Sequence, residues 1–173
     1  AVWLPTHPRE RGVTARPPRF RPWTPRGATV LLGGSGGVRK GRNAVVGGRS
    51  NIVGMPAALM LMKKDCTVTV VHSRTKDPAD ICRRADVIIA AAGSAHMVKK
   101  NWIKKGAVII DVGTNSVPDA TKKSGFRLTG DVDFHEAIKK ADKITPVPGG
   151  VGPMTIAMLL SNTLDSGKRA IAN

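Results

Sequence analysis

A chain of 173 residues can bury one good core, so one domain is expected. Its formal net charge is +16, from 28 Lys and Arg against 12 Asp and Glu, so a nucleic-acid partner has to be weighed. The two cysteines, Cys66 and Cys82, form neither a disulfide framework nor a metal-ligand spacing, and no apolar run approaches the roughly 20 residues of a transmembrane helix.

Residues 1–27 are rich in Pro and Arg and have no period. They read as an irregular basic arm, which with the glycines that follow extends over 1–40. Residues 1–43 carry nine basic side chains against Glu10 alone, about half of the charge excess. The arm has the Arg-rich, acid-poor look of an organelle transit peptide, but no amphipathic helix is written there. With three Phe, three Trp and no Tyr, stacking platforms for single strands are poor. Nucleic-acid binding is therefore disfavoured. Gly33-Gly34-Ser35-Gly36-Gly37 looks like a phosphate loop, but Val38-Arg39-Lys40-Gly41 and a strand follow it where a helix is required, so a turn is expected.

From residue 43 the pattern is regular. Asn43–Gly48 reads as a buried strand, Pro56–Lys64 as a helix and Thr67–His72 as a second strand. Pro78–Ala85 reads as a short helix with Asp77 as N-cap. Asp86–Ala92 and Ala107–Val112 are unbroken apolar runs, as central parallel strands covered on both faces require. A helix over Asp133–Ala141, a strand over Lys143–Val147 and a helix over Pro153–Ser166 complete an α/β chain. Its alternation predicts a doubly wound, Rossmann-type parallel sheet over residues 41–173. Cys66 and Cys82 fall among apolar or helical neighbours and are expected as reduced core thiols.

The chemistry should lie at the carboxyl ends of the strands. After the first strand comes Gly47-Gly48-Arg49-Ser50-Asn51-Ile52-Val53-Gly54, a glycine loop without the strict G-x-G-x-x-G spacing that can still turn backbone N–H groups towards an anion. After the second comes His72-Ser73-Arg74-Thr75, where an NAD site wants an acid for the ribose hydroxyl. A carboxylate would repel a 2′-phosphate, whereas Ser73 with Arg49 or Arg74 can bind one, so NADP is favoured over NAD. Arg49, fixed in the glycine turn, is the stronger candidate. Gly93 and Gly113 end the next two strands as points of close backbone approach. His7, His96 and His135 receive no role, and Asp131 and Asp133 read as loop or N-cap residues. Last comes Ile144-Thr145-Pro146-Val147-Pro148-Gly149-Gly150-Val151-Gly152-Pro153-Met154-Thr155, a stiff loop running into a helix, with Pro153 and Thr155 in its first turn.

Together, Val45–Pro56, His72–Thr75, Ala79–Gly93, Asn101–Gly113 and Ile144–Leu160 strongly resemble the bifunctional methylenetetrahydrofolate dehydrogenase/cyclohydrolases, over about residues 40–166. The resemblance implies NADP-dependent oxidation of methylenetetrahydrofolate to the methenyl form, then hydrolysis to 10-formyltetrahydrofolate. It places Gly48, Arg49, Ser50, Ser73 and Thr114 at the cofactor, and Pro148, Gly149, Gly150, Val151 and Gly152 on the folate side. It also implies a homodimer in the cytosol, mitochondrion or plastid, and not secreted; no membrane partner is expected. Gly47 stands where the family usually has an aliphatic residue, and Thr114 where Ile or Val is common. Upstream, Thr24-Pro25-Arg26-Gly27 echoes the family's Thr-Pro-Lys-Gly, and His7-Pro8 is a fainter echo. The family's amino-terminal Tyr-x-x-x-Lys motif serves the cyclohydrolase step, and this Tyr-free chain cannot contain it. No catalytic residue is therefore assigned. The expectation is a cofactor-binding half, preceded by a vestige of the other domain and catalytically silent when isolated.

Overall fold

The structure, a computed structural model, describes residues 22–36 and 40–171. Five strands form one parallel sheet: β1 (Asn43–Gly47), β2 (Thr67–Val71), β3 (Val87–Ala90), β4 (Val108–Asp111) and β7 (Lys143–Ile144), in the order β2-β1-β3-β4-β7. This is the expected doubly wound sheet. The direction of the strand order reverses at β1, between its neighbours β2 and β3.

The apolar runs of the central strands are explained by alternation. Val46, Ile89 and Ile110 point into one core with Ala57, Ala58 and Leu61 of α2 (Gly54–Met62). Their neighbours Val45, Ile88 and Ile109 point into a second core with Cys82, Ile103 and Val132. Successive side chains face opposite sides of the sheet, and helices or loops cover both, so every position is apolar. Cys66 and Cys82 are buried free thiols, and burial pushes the Cys82 thiol up to about 11.

Within the stretch expected to be an irregular arm, Trp23–Gly34 is instead a helix, α1. Pro25, Gly27, Ala28, Thr29 and Leu32 are buried in it. It packs on α5 (Val151–Ile171), where the Arg26 guanidinium donates to Asn162 Oδ1 at 3.0 Å. Gly27 lets the two helices close up, since a Cβ there would lie 3.2 Å from the Cβ of Met154. Propensity did not announce this helix because tertiary packing holds it. Gly33 and Gly34 close it and Gly36 turns the chain at φ +70°, so over its described part the glycine run is a helix end and turn. Residues 1–21, with His7-Pro8, and Gly37 lie outside the described residues.

The remaining helices are α3 (Pro78–Cys82) and α4 (Phe134–Ala137), each shorter than expected. Asp77 occupies the N-cap position of α3 but makes no side-chain cap bond, because its backbone is left-handed at φ 47°. Asp133 likewise makes no cap bond and lies 3.6 Å from Lys99. The hairpin β5 (Asn115–Pro118) and β6 (Phe126–Thr129) was not expected; it is short and largely exposed, so no apolar alternation marks it.

Gly47 pairs with Val71 and Ala90 inside the sheet, and a Cβ on it would meet nothing nearer than Ile89 O at 3.7 Å. Space does not demand glycine here. Gly47→Ala is expected to raise stability by about 0.5–1 kcal/mol in urea unfolding, through the lower entropy of its unfolded chain. A loss of stability would show a constraint outside the sheet.

Candidate functional site

Loops from the carboxyl ends of the strands line two cavities, each of about 590 Å³. The first is bounded by Gly48, Arg49 and Ser50 after β1, by His72, Ser73 and Thr75 after β2, and by Ala91, Ala92 and Ser94 after β3. Four of the five expected cofactor residues are therefore together: Gly48, Arg49, Ser50 and Ser73.

The glycine loop is held by backbone crowding. Gly48 has φ +112°, and a Cβ on it would lie 2.2 Å from Ala91 O. A Cβ on Gly54 would lie 2.2 Å from Gly48 O. The chain at Gly48 is thus clamped between two other backbone segments. The Ser50 hydroxyl accepts from the N–H groups of Val53 and Gly54 at 3.2 and 3.3 Å, where α2 begins. After β2, the Thr75 hydroxyl accepts from His72 N at 2.9 Å and His72 Nδ1 accepts from Arg74 N at 3.2 Å. That turn leaves Ser73 and Arg74 exposed, with no acid among residues 72–75.

The second cavity is lined by Pro146–Pro153, by Gly113 and Thr114 after β4, and by Thr24 of α1. Pro148, Gly149, Gly150, Val151 and Gly152 are together, as expected. The Val147–Pro148 peptide is cis, and Gly149 has φ +102°. A side chain on Gly150 would lie 2.5 Å from Pro146 O. The helix begins at Val151, so Pro153 falls within its first turn, where no intrahelical N–H bond is lost. Thr155 Oγ1 donates to Val151 O at 3.1 Å and lies 3.3 Å from Thr24 Oγ1. Thr114 lines this second cavity, away from the other four expected cofactor residues. Thr24 was not among the expected site residues; its signal in the sequence is the Thr-Pro-Arg-Gly echo, which lies within the expected arm.

Beneath these walls lie two buried carboxylates, 3% and 0% exposed at Asp111 and Asp131. Asp111 accepts from the N–H groups of Gly113, Asp131 and Val132 at 2.9–3.0 Å. Burial outweighs those donors and pushes its carboxyl up to about 6, with the Asp131 carboxylate adding repulsion. A raised carboxyl favours the fold while protonated; that contribution is whole below about pH 4 and is lost as the pH climbs through about 6. Relative to Asp111→Asn, the wild-type unfolding free energy is expected to fall by roughly 2–3 kcal/mol between about pH 4 and pH 7. Urea titrations of both proteins across that range check it, and a constant difference would contradict it. His96, given no role from sequence, lies with Nε2 2.6 Å from Thr129 Oγ1.

A parallel doubly wound sheet, with its cavities at the strand ends beside the reversal of strand order, defines a Rossmann-type domain. The chain belongs to the tetrahydrofolate dehydrogenase/cyclohydrolase NAD(P)-binding domain family, whose model matches residues 22–171. Bifunctional protein FolD 2 of Arabidopsis thaliana is 63% identical over an alignment of 166 residues that covers 94% of this chain and 56% of that protein. The chloroplastic FolD 4 of the same plant is 60% identical over 89% of this chain and 43% of its own length. In structure, the chain is similar to Trypanosoma brucei methylenetetrahydrofolate dehydrogenase-cyclohydrolase complexed with NADP and inhibitor. The TM-score is 0.91 at 46% identity, covering 98% of this chain and 58% of that one. The chain thus spans about half the length of the relatives it matches. Relatives designated cytoplasmic and mitochondrial are also among the matches. No helix among the described residues is long and apolar enough to cross a membrane.

Proposed function

We propose that the protein takes part in NADP-dependent oxidation of methylenetetrahydrofolate and in hydrolysis of the methenyl product to 10-formyltetrahydrofolate. This chain supplies the cofactor site and one wall of the folate site. The observation that carries the reading is the first cavity, which Arg49 and Ser73 both line and whose lining holds no acid. The donor set fits NADP. Arg49 and Ser73 would hold the 2′-phosphate by charge-assisted hydrogen bonds, with Arg74 adding charge at the rim. Gly48 gives close backbone approach to the pyrophosphate, and the Ser50 hydroxyl can donate while its oxygen accepts from the Val53 and Gly54 amides. Thr114 faces the folate side and would meet the nicotinamide end. When bound, NADP supplies the hydride acceptor. The Pro148–Gly152 wall would help fix the reductant's position, which is where such a stiff loop contributes to rate. A homodimer, implied by the resemblance, belongs to the same proposal and is read by sedimentation equilibrium.

The absence of Tyr from all 173 residues favours a second reading for the chain by itself, NADP binding without turnover. One experiment serves both. The chain is assayed for NADPH formation from methylenetetrahydrofolate, alone and joined to the amino-terminal half of the Arabidopsis FolD 2 relative. Turnover only in the joined protein is expected. Turnover by the chain alone would end the second reading, and a joined protein that binds NADP without turnover would end the first.

A further inference from the structure

Asp131 is wholly buried, yet it lies between the walls of both cavities. Its Oδ2 accepts from the N–H groups of Ala92 and Gly93 at 2.6 and 2.9 Å. Its Oδ1 accepts from Ser94 N and from Asn115 Nδ2, both at 2.9 Å. Three consecutive backbone amides therefore turn towards one carboxylate, which Gly93 permits at φ +69°. A buried carboxylate is costly unless its oxygens are satisfied, and these four donors satisfy them. The amides it holds belong to the loop whose Ala92 and Ser94 line the first cavity. On its other side stands Gly113, where a Cβ would lie 2.2 Å from Asp131 Oδ1, and Gly113 lines the second cavity. Asp131 is itself fixed: its N–H donates to Asp111 Oδ1 at 3.0 Å and its carbonyl accepts from Val98 N at 2.9 Å.

We propose that Asp131 is a positioning residue for the dinucleotide. It holds Ala92–Ser94 in the conformation that walls the cofactor cavity, so that the wall exists before the ligand arrives. The inference rests on the NADP reading above. Without the carboxylate, three N–H groups lose their acceptor and the loop is free to sample other turns. Binding would then have to order it.

The test compares wild type with Asp131→Asn, whose amide turns one acceptor oxygen into a donor facing donors. Two quantities are read: amide hydrogen exchange without cofactor, and the dissociation constant for NADP. In the variant, protection at Ala92, Gly93 and Ser94 is expected to fall about tenfold or more, with Ile88 and Ile89 in β3 keeping theirs. NADP binding is expected to weaken about tenfold, as for loss of hydrogen bonds to a charged group. Equal loss of protection throughout β3 would make Asp131 merely structural and overturn the proposal. Unchanged protection at 92–94, or a variant that binds NADP as well as wild type does, would overturn it too. If Asp131→Asn does not fold, Asn115→Ala removes one of the four donors and leaves the loop amides in place. A smaller loss in the same pattern, about threefold, is then expected, and no change overturns the proposal. A wild type that binds no NADP defeats the cofactor reading itself, a result distinct from wild type and variant binding alike.

Discussion

Gly54→Ala is expected to damage both the fold and the cofactor site. The added Cβ would lie 2.2 Å from the carbonyl oxygen of Gly48, 2.7 Å from its carbon and 3.0 Å from Arg49 N, all backbone atoms. A flexible side chain could swing away, but this backbone cannot. Gly48 is blocked on its far side by Ala91, whose carbonyl oxygen leaves no room for a Cβ at Gly48 either. The loop must therefore move as a unit and take Arg49 and Ser50 with it. Overpacking of this kind costs on the order of 3 kcal/mol, or a drop in melting temperature on the order of 10 °C in a domain of this size. With Arg49 and Ser50 displaced, NADP loses hydrogen bonds to its charged groups, so its affinity is expected to fall about tenfold or more. Calorimetric melting and NADP titration check the two effects. A variant as stable as wild type would show that the loop can yield.

Arg49→Ala separates the cofactors. Arg49 is exposed at the first cavity and no acid stands among residues 72–75. If its guanidinium holds a 2′-phosphate, its loss removes hydrogen bonds to a charged group, worth about 1.5–3 kcal/mol. NADP affinity is then expected to fall about 10- to 100-fold, with NAD affinity nearly unchanged. Isothermal titration with both cofactors reads this directly. Parallel losses for NADP and NAD would mean that Arg49 serves the shared part of the molecule, such as the pyrophosphate.

The parts of this molecule that were legible in its sequence are those whose cause is local. Val87–Ala90 and Val108–Asp111 announce themselves because burial on both faces makes every position apolar. The glycine loop and the Pro148 loop are legible because tight turns and close approach restrict the residue types allowed. Gly48, Arg49, Ser50 and Ser73 line one cavity and Pro148–Gly152 line the other, with Thr114 on the second wall. What was hidden depends on distant partners. Trp23–Gly34 has an internal glycine, Gly27, before its closing pair and a proline at Pro25, a poor helix by propensity. It is held by Asn162 and Met154, more than a hundred residues along the chain. Asp131 reads as one more loop acid in sequence. Only the fold brings the amides of residues 92–94 and the side chain of Asn115 to it.

If this sheet presents a dinucleotide site shaped for a 2′-phosphate, the two cofactors must bind unequally. Direct titration of the chain with NADP and with NAD under the same salt tests it most simply. NADP is expected to bind about tenfold or more tightly than NAD, as one charge-assisted contact requires. Superimposable curves for the two cofactors would contradict it.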